Sequence, residues 1–297
     1  MTVAENLRRS GSESRAFDLP KKQEMHLRAL VWKDIRAFNG RLGPARQFLA
    51  LDFRHFMEFT EALLTCSPKP GQKVLEAGGL LSPIGLYLAS KGCEVTLVDL
   101  DPQVMKQEQF ARDAGLGALI SKKKFMVRKA DARTLDYPDG HFDIVLALSC
   151  VDYTRDDADK ELMTELARVL APGGTLAVSV HVGPKYRQTQ EGKYPLRFYD
   201  DTHLESRIIA PSSLALLRKF YFGDDTAGLG ALWYRLPDFI RQWMLGWIVY
   251  PVAQAVAASD VSTKRDATAV CLTFQKVAVS GNTPVGTPST SIPATDK

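Results

Sequence analysis

Several short stretches in the middle of the chain put acids or histidines where an apolar run stops. Val74-Leu75-Glu76-Ala77-Gly78-Gly79 ends on a carboxylate two positions before a glycine. Val95-Thr96-Leu97-Val98-Asp99 ends on a second, and Lys129-Ala130-Asp131-Ala132 holds a third. An ionised carboxylate is a strong acceptor for ligand hydroxyls and amines. Glycine lets backbone approach a ligand closely. A dinucleotide loop needs G-x-G-x-x-G, and the turn here reads Gly78-Gly79-Leu80-Leu81-Ser82-Pro83-Ile84-Gly85, which weakens a nicotinamide oxidoreductase. Further on, Asp152 and Tyr153 follow the run Phe142–Leu148, and His181 lies at the end of the run Thr175–Val182. These three are candidates for acceptor contact or base chemistry. A helix cap, a packed ring and a satisfied structural histidine are the bland alternatives.

Such groups need a scaffold that brings strand ends together. Strand patterns at Lys73–Ala77, Glu94–Val98, Lys124–Lys129, Phe142–Leu148 and Thr175–Val182 alternate with helical patterns at Ser82–Lys91, Pro102–Ala114 and Asp157–Leu170. That alternation predicts a parallel sheet covered on both faces. Ligands of such sheets bind beyond the carboxyl ends of the strands, near the switch in strand order. Helices are expected from Pro20 to Asn39-Gly40 and from Pro44 to Leu64, before the hinge Ser67-Pro68-Lys69-Pro70-Gly71. Two more strands are expected at Leu217–Phe222 and Ala267–Phe274. The domain reading is a mobile lead over 1–19, a helical cap over 20–66, the main domain over 67–279 with an insertion at about 226–262, and a disordered tail over 280–297.

The ordered motifs resemble class I S-adenosylmethionine-dependent methyltransferases, of the small-molecule group like the ubiquinone and menaquinone enzymes. Glu76-Ala77-Gly78-Gly79 is similar to the family's first motif and Val95–Asp99 to its second strand and terminal acid. Lys129-Ala130-Asp131-Ala132, Pro138-Asp139-Gly140-His141-Phe142-Asp143 and Leu166–Gly174 are similar to the later ones. The resemblance covers about residues 70–182. It implies a Rossmann-like α/β fold: a seven-stranded, mostly parallel sheet with helices on both faces, an N-terminal helical cap, and an apolar helical insertion before the last strand. It also implies S-adenosylmethionine as cofactor, with no metal. Asp99, 21 residues after Gly78, would accept from the ribose hydroxyls. Asp131 and the Ala132 backbone would meet the adenine edge, Leu100 its face, and Glu76, Gly78 and Gly79 the amino acid end. The sequence departs from the family at Leu80 and Ser82, where it has glycines. The alternative is therefore an inactive scaffold or a regulatory partner subunit.

Composition bounds the rest. The chain has 297 residues, is 45% apolar and 24% charged, and carries a net +4, of which residues 1–48 hold +5 (ten Lys/Arg, five Asp/Glu). No basic, aromatic-interleaved stripe marks the sheet region, so nucleic acid is not expected as a partner. Cys66, Cys93, Cys150 and Cys271 form no C-x-x-C pair and fit reduced thiols, and no secretory h-region is present, so a cytoplasmic protein is expected. Gln242 to Ser259 has no charge across 18 residues, and Trp233, Trp243 and Trp247 lie in or beside it. Stretch 229–258 is read in two ways: an interfacial anchor on an anionic membrane, or a lid or oligomer face. Both imply a small, lipophilic substrate.

Overall fold

The computed structural model describes residues 21–43, 53–191, 194–223, 240 and 267–277. The lead 1–19, the tail 280–297 and, apart from Ile240, the stretch 229–258 lie outside the described residues. Two helices open the chain, α1 (Lys21–Arg41) and α2 (Phe53–Cys66). Then follow β1 (Lys73–Ala77), α3 (Ile84–Ser90), β2 (Glu94–Asp99), α4 (Lys106–Asp113), a short α5 (Gly117–Ser121) and β3 (Phe125–Lys129). Next come β4 (Phe142–Leu148), α6 (Ala158–Val169), β5 (Leu170–His181), the hairpin β6 (Arg187–Glu191) and β7 (Tyr194–Phe198), a helical stretch over 201–212, β8 (Ala215–Phe222) and β9 (Ala269–Gln275).

The main sheet has the order β3-β2-β1-β4-β5-β9-β8, parallel from β3 to β5 and antiparallel at β9 and β8. Strand order reverses between β1 and β4, so the switch-point crevice opens above their carboxyl ends. Alternate residues of each strand feed opposite cores. Val74, Leu97, Ile144 and Leu146 pack with α1, α2 and α3, while Leu75, Val145, Val178 and Leu272 pack with α6 and the 201–212 stretch. No described helix is long and apolar enough to cross a membrane.

β1 and β4 fall on the expected residues. β5 begins earlier than expected, at Leu170, because Phe142 pairs with Leu170 before a bulge resets the register at Ile144–Thr175. The α2 helix is described from Phe53, so its expected start near Pro44 lies outside the described residues. Tyr199, just after β7, belongs to the core: it is fully buried and donates to Asp159 Oδ2 at 2.9 Å.

α2 is unusual in what it buries. Arg54, Glu58, Glu61 and Thr65 share one helical face, at spacings of four, three and four. That face meets the sheet: Glu58 reaches Ser149 at the end of β4, and Thr273 on β9 donates to Thr65 at 3.1 Å. Arg28 of α1 pairs with Glu61, and Arg218 of β8 reaches Glu61 Oε1 at 2.8 Å. The charges lie in the seam between cap and sheet.

Candidate functional site

The first turn after β1 carries the departure from the glycine pattern, and its backbone keeps a glycine-like shape. Leu80 has φ +34°, a region that costs a residue with a side chain roughly 1–2 kcal/mol. Its N–H donates to Asp99 Oδ2 at 3.0 Å, and its carbonyl accepts from Gln107 Nε2 at 3.1 Å. Gln107 also holds the Ser82 carbonyl at 2.7 Å, and Ser82 Oγ accepts the Ile84 N–H that starts α3. Gly78, at φ +72°, lies against Cys150, and an added Cβ would collide with the Cys150 side chain. Gly79 and Gly85 pack on the Glu76 carboxylate in the same way, so these glycines make room for a buried acid. Sequence reasoning missed Gly85; its place three residues beyond Ser82 was the available signal.

A cavity of about 280 Å³ lies over this turn. Glu76, Gly78, Gly79, Leu80 and Ser82 form its floor, Leu148 and Ser149 its side, and Asn39, His55, Glu58 and Phe59 of the N-terminal helices its cover. Leu80 therefore lines the groove and leaves it open. Ser149 is also left-handed, at φ +51°, and its N–H donates to Ser179 Oγ at 2.8 Å. Strained backbone at both β1 and β4 tips marks the crevice as the specialised part of the fold.

Asp99 caps its own loop, accepting the Asp101 N–H at 2.8 Å. Burial raises its pKa, against the Asp101 and Leu80 N–H groups, which lower it. Beside it, Leu100 is 62% exposed. Asp131 at the β3 tip is gripped by Arg133, whose Nη2 lies 2.7 Å from Oδ2 and whose N–H lies 2.9 Å from Oδ1. That guanidinium lowers the Asp131 pKa. Ala132 is half-buried next to it. Tyr194, at the tip of the β6–β7 hairpin, donates to Asp101 Oδ2 at 2.9 Å, so the hairpin spans from the end of β5 to the end of β2.

On the other side of the switch, Asp152, Tyr153 and His181 come together. Asp152 is fully buried, and its Oδ2 accepts the His181 backbone N–H at 2.9 Å and ring Nδ1–H at 2.6 Å. Burial opposes its ionisation, but the His181 bonds and the Arg54 charge prevail and lower its pKa. Arg54 Nη1 donates to His181 Nε2; a guanidinium cannot accept, so the ring holds its proton on Nδ1. Arg54 Nε donates to Glu58 at 2.6 Å, and Ser149 Oγ donates to the same carboxylate at 2.8 Å. The Tyr153 ring stands edge-on to His181 at 6.2 Å. Arg54 and Glu58 were not read from the sequence as site residues. A charged pair amid Phe53, Phe56 and Phe59 was the only trace.

Cys150 reports the electrostatics of the whole. Burial pushes its thiol well above the ordinary range, and the carboxylates of Asp152, Asp99, Glu58 and Glu76 push it further. Among the described residues, Arg54 pairs with two of these acids, Glu58 and Asp152. The open groove and the strand-tip acids fit a ligand that carries an amine and a ribose, as S-adenosylmethionine does.

Comparisons with known proteins agree with this geometry. Residues 75–178 match the family model described as a methyltransferase domain. The chain is 34% identical over 124 residues to the ubiquinone/menaquinone biosynthesis C-methyltransferase UbiE of Shewanella woodyi, covering 40% of this chain and 46% of that protein. It is 30% identical over 151 residues to the 2-methyl-6-phytyl-1,4-hydroquinone methyltransferase of Synechocystis, covering 50% and 42%. The chain thus spans about half the length of the curated relatives it matches. Among solved structures, the [4+2]-cyclase SpnF shares the fold, with a TM-score of 0.51 and 22% identity over 73% of this chain and 79% of that one. With its sheet order, its strand-tip acids and these matches, the chain carries a class I S-adenosylmethionine-dependent methyltransferase domain.

Proposed function

We propose that this protein transfers the methyl group of S-adenosylmethionine to a small, hydrophobic acceptor. One observation carries the reading: the carboxylates of Glu76 and Asp99 stand near the ends of the paired strands β1 and β2 at the glycine turn, where the Leu80 N–H meets Asp99 and the cavity opens over Gly78 and Gly79. Carboxylates so placed accept from the hydroxyls and the ammonium group of a ligand. When bound, the cofactor supplies a methyl group already activated by its sulfonium. The protein's work is then alignment and exclusion of water.

In this reading Asp99 accepts from the ribose hydroxyls, Leu100 covers the adenine face, and Asp131 with the Ala132 backbone takes the adenine edge. Glu76 orients the amino end over Gly78 and Gly79. Asp152, His181 and Tyr153 stand on the acceptor side, and α1 and α2 close the groove. The names of two relatives, a ubiquinone/menaquinone biosynthesis C-methyltransferase and a 2-methyl-6-phytyl-1,4-hydroquinone methyltransferase, support a lipophilic acceptor. A lipophilic acceptor suits peripheral membrane contact through 229–258. A lid or an oligomer face is the alternative reading of that stretch, and liposome flotation of Trp243→Ala/Trp247→Ala against wild type separates the anchor from both.

The second reading is a fold that binds the cofactor without methyl transfer, as an inactive scaffold or partner subunit. The solved structure named a [4+2]-cyclase keeps it open, since a fold does not fix a reaction. Calorimetry with S-adenosylmethionine tests the shared step, with micromolar binding expected and weakened in Asp99→Ala. Mass spectrometry after incubation with phenols and hydroquinones then distinguishes the readings. A methylated product supports transfer; binding without product supports the scaffold; absence of binding removes both.

A further inference from the structure

β7 divides its side chains between two faces. Arg197 is fully buried and reaches Asp159 on α6 at 3.1 Å, and its Nη1 donates to Thr154 at 2.8 Å. Tyr199, just beyond β7, donates to the same Asp159 carboxylate at 2.9 Å. The alternate residues take the other face. The Phe198 ring lies 5.2 Å from that of His181 at the end of β5, and the Tyr194 hydroxyl donates to Asp101 Oδ2 at 2.9 Å, 93 residues away in sequence. Leu196 stands between them in register. In the sheet order β2-β1-β4-β5, a segment that leaves β5 and ends on the loop after β2 must cross the tips of β4 and β1. The hairpin therefore runs over the switch-point crevice, with a buried, charge-paired base and a tip held at the surface. The tip closes on the nucleoside loop itself, because the Asp101 N–H donates to Asp99 Oδ1 at 2.8 Å.

We propose that the β6–β7 hairpin is a strap closed across the cofactor crevice, with Tyr194 as its latch on Asp101. The inference rests on the cofactor reading and adds a positioning residue that lies outside the strand-tip motifs. Tyr194 acts through Asp101: its hydroxyl pins the side chain of the residue whose N–H orients Asp99, so one loop sets both the latch and the ribose acceptor. The base does not give way cheaply, since Arg197 leaving Asp159 would strand a buried charge. The tip exchanges its surface hydrogen bond for one to water at little net cost. The strap therefore opens by pivoting on its base. A latch that closes over the crevice both before and after cofactor binds is crossed on the way in and on the way out. It governs the rate of cofactor exchange and leaves the affinity nearly alone. Slow exit keeps the cofactor in place while an acceptor arrives, and the Leu196 and Phe198 face shields the crevice from water meanwhile.

The test uses the full chain and radiolabelled S-adenosylhomocysteine, with association followed by rapid filtration and dissociation by a chase of unlabelled ligand. Tyr194→Phe is expected to speed both about fivefold, the factor carried by one surface hydrogen bond, and to leave Kd within about twofold. Asp101→Asn keeps an oxygen for the Gln103 N–H and offers an amide N–H to the Tyr194 hydroxyl, so it is expected to exchange ligand at close to the wild-type rate. A Tyr194 that touched the ligand would, on substitution, raise the dissociation rate and Kd together. A Tyr194 of purely structural use would leave both rates unchanged. Either result overturns the latch. As a second measurement, Tyr194→Cys/Asp101→Cys is joined by a short bis-maleimide, with wild type treated alike as the control. The joined protein is expected to retain ligand loaded beforehand and to refuse ligand added later; exchange at the rate of the unjoined variant removes the strap. Wild type that binds no S-adenosylhomocysteine removes the cofactor reading and the strap together. Normal binding with unchanged rates in Tyr194→Phe removes the strap alone.

Discussion

The two halves of the crevice are assembled by different means. On the β1–β2–β3 side the acids are held by sequence neighbours: Asp99 by Asp101, two residues away, and by Leu80, 19 away, and Asp131 by Arg133, two away. On the β4–β5 side the partners are remote. Asp152 and His181 are 29 residues apart, Glu58 and Ser149 are 91, and Arg54 and His181 are 127. The first half is made by loops that form with their own strands. The second exists only once α2 docks on the sheet. Cofactor binding should therefore depend on single local acids, whereas the acceptor side should stand or fall with the docking of the cap.

The largest effect is expected where that dependence is cut. Glu58→Ala removes the partner of Arg54 Nε and of Ser149, leaving a mostly buried guanidinium short of its counter-ion. Breaking such a pair by removing one member costs about 3–5 kcal/mol. Urea unfolding should show that loss. A change within about 0.5 kcal/mol, the size expected of a surface substitution, would mean that the seam is solvated and that the contrast between the halves fails.

Asp99→Ala should do the reverse, with a large effect on ligand and a small one on the fold. Two charge-assisted hydrogen bonds to ribose hydroxyls are worth about 3 kcal/mol together, or about 100-fold in S-adenosylhomocysteine affinity. Stability should change by only about 1 kcal/mol, since the substitution leaves the half-exposed Leu80 and Asp101 N–H groups to water. Calorimetry and urea unfolding on the same variant test both parts.

The order of these effects follows what the sequence made readable. Strand tips and their acids were legible because the apolar runs Lys73–Ala77 and Phe142–Leu148 have strand length and end where the burial ends. The glycine departure at Leu80 was legible as a departure but not in its outcome, because a left-handed leucine braced by Gln107 is a tertiary result. Arg54 and Glu58 were not legible, because a charged pair at a spacing of four also fits a solvated helix face and only docking sets this one against the sheet. The β6–β7 hairpin escaped notice because Arg187-Gln188-Thr189-Gln190-Glu191 shows no apolar alternation. The hairpin is anchored instead by Arg197, fully buried against Asp159 at 3.1 Å, and by buried Leu196. Pro172-Gly173-Gly174 read as a turn, and the pairing of Leu170 with Phe142 on its far side was hidden by that signal.

Titration sharpens the contrast, because the two key carboxyls are displaced in opposite directions. Asp152 lies below its ordinary value of 3.8, so it stabilises the fold above that pH, and the stabilisation is lost as pH falls through the lower folded value. Asp99 lies above 3.8, chiefly through burial, so its contribution is present below that pH and is lost as pH rises through the raised folded value. A ligand whose hydroxyls donate to the ionised form of Asp99 reverses that shift. S-Adenosylhomocysteine binding on the acid side, just above the ordinary carboxylate range, should then release a proton. Calorimetry in buffers of different ionisation enthalpy should detect the release in wild type and lose it in Asp99→Asn. Asp152→Asn should keep it, because Asp152 is already ionised there.

The smallest expected effect tests how firmly the cofactor half is committed before ligand arrives. Arg133 holds Asp131 through its side chain and its own N–H, yet the pair is exposed at 39% and 26%, so solvent screens most of the attraction. An exposed pair of this kind is worth about 0.2–1 kcal/mol. If Arg133 competes with an adenine amine for the same carboxylate, Arg133→Ala removes the competitor and should raise S-adenosylhomocysteine affinity by about two- to fivefold, the ratio that energy allows. Asp131→Asn should lower it by a similar factor, and the double variant should match Asp131→Asn, since the competition between Arg133 and the ligand is for Asp131. A fall in affinity in Arg133→Ala would show that the guanidinium itself touches the ligand. The β3 tip would then bind with a cation as well as an acid.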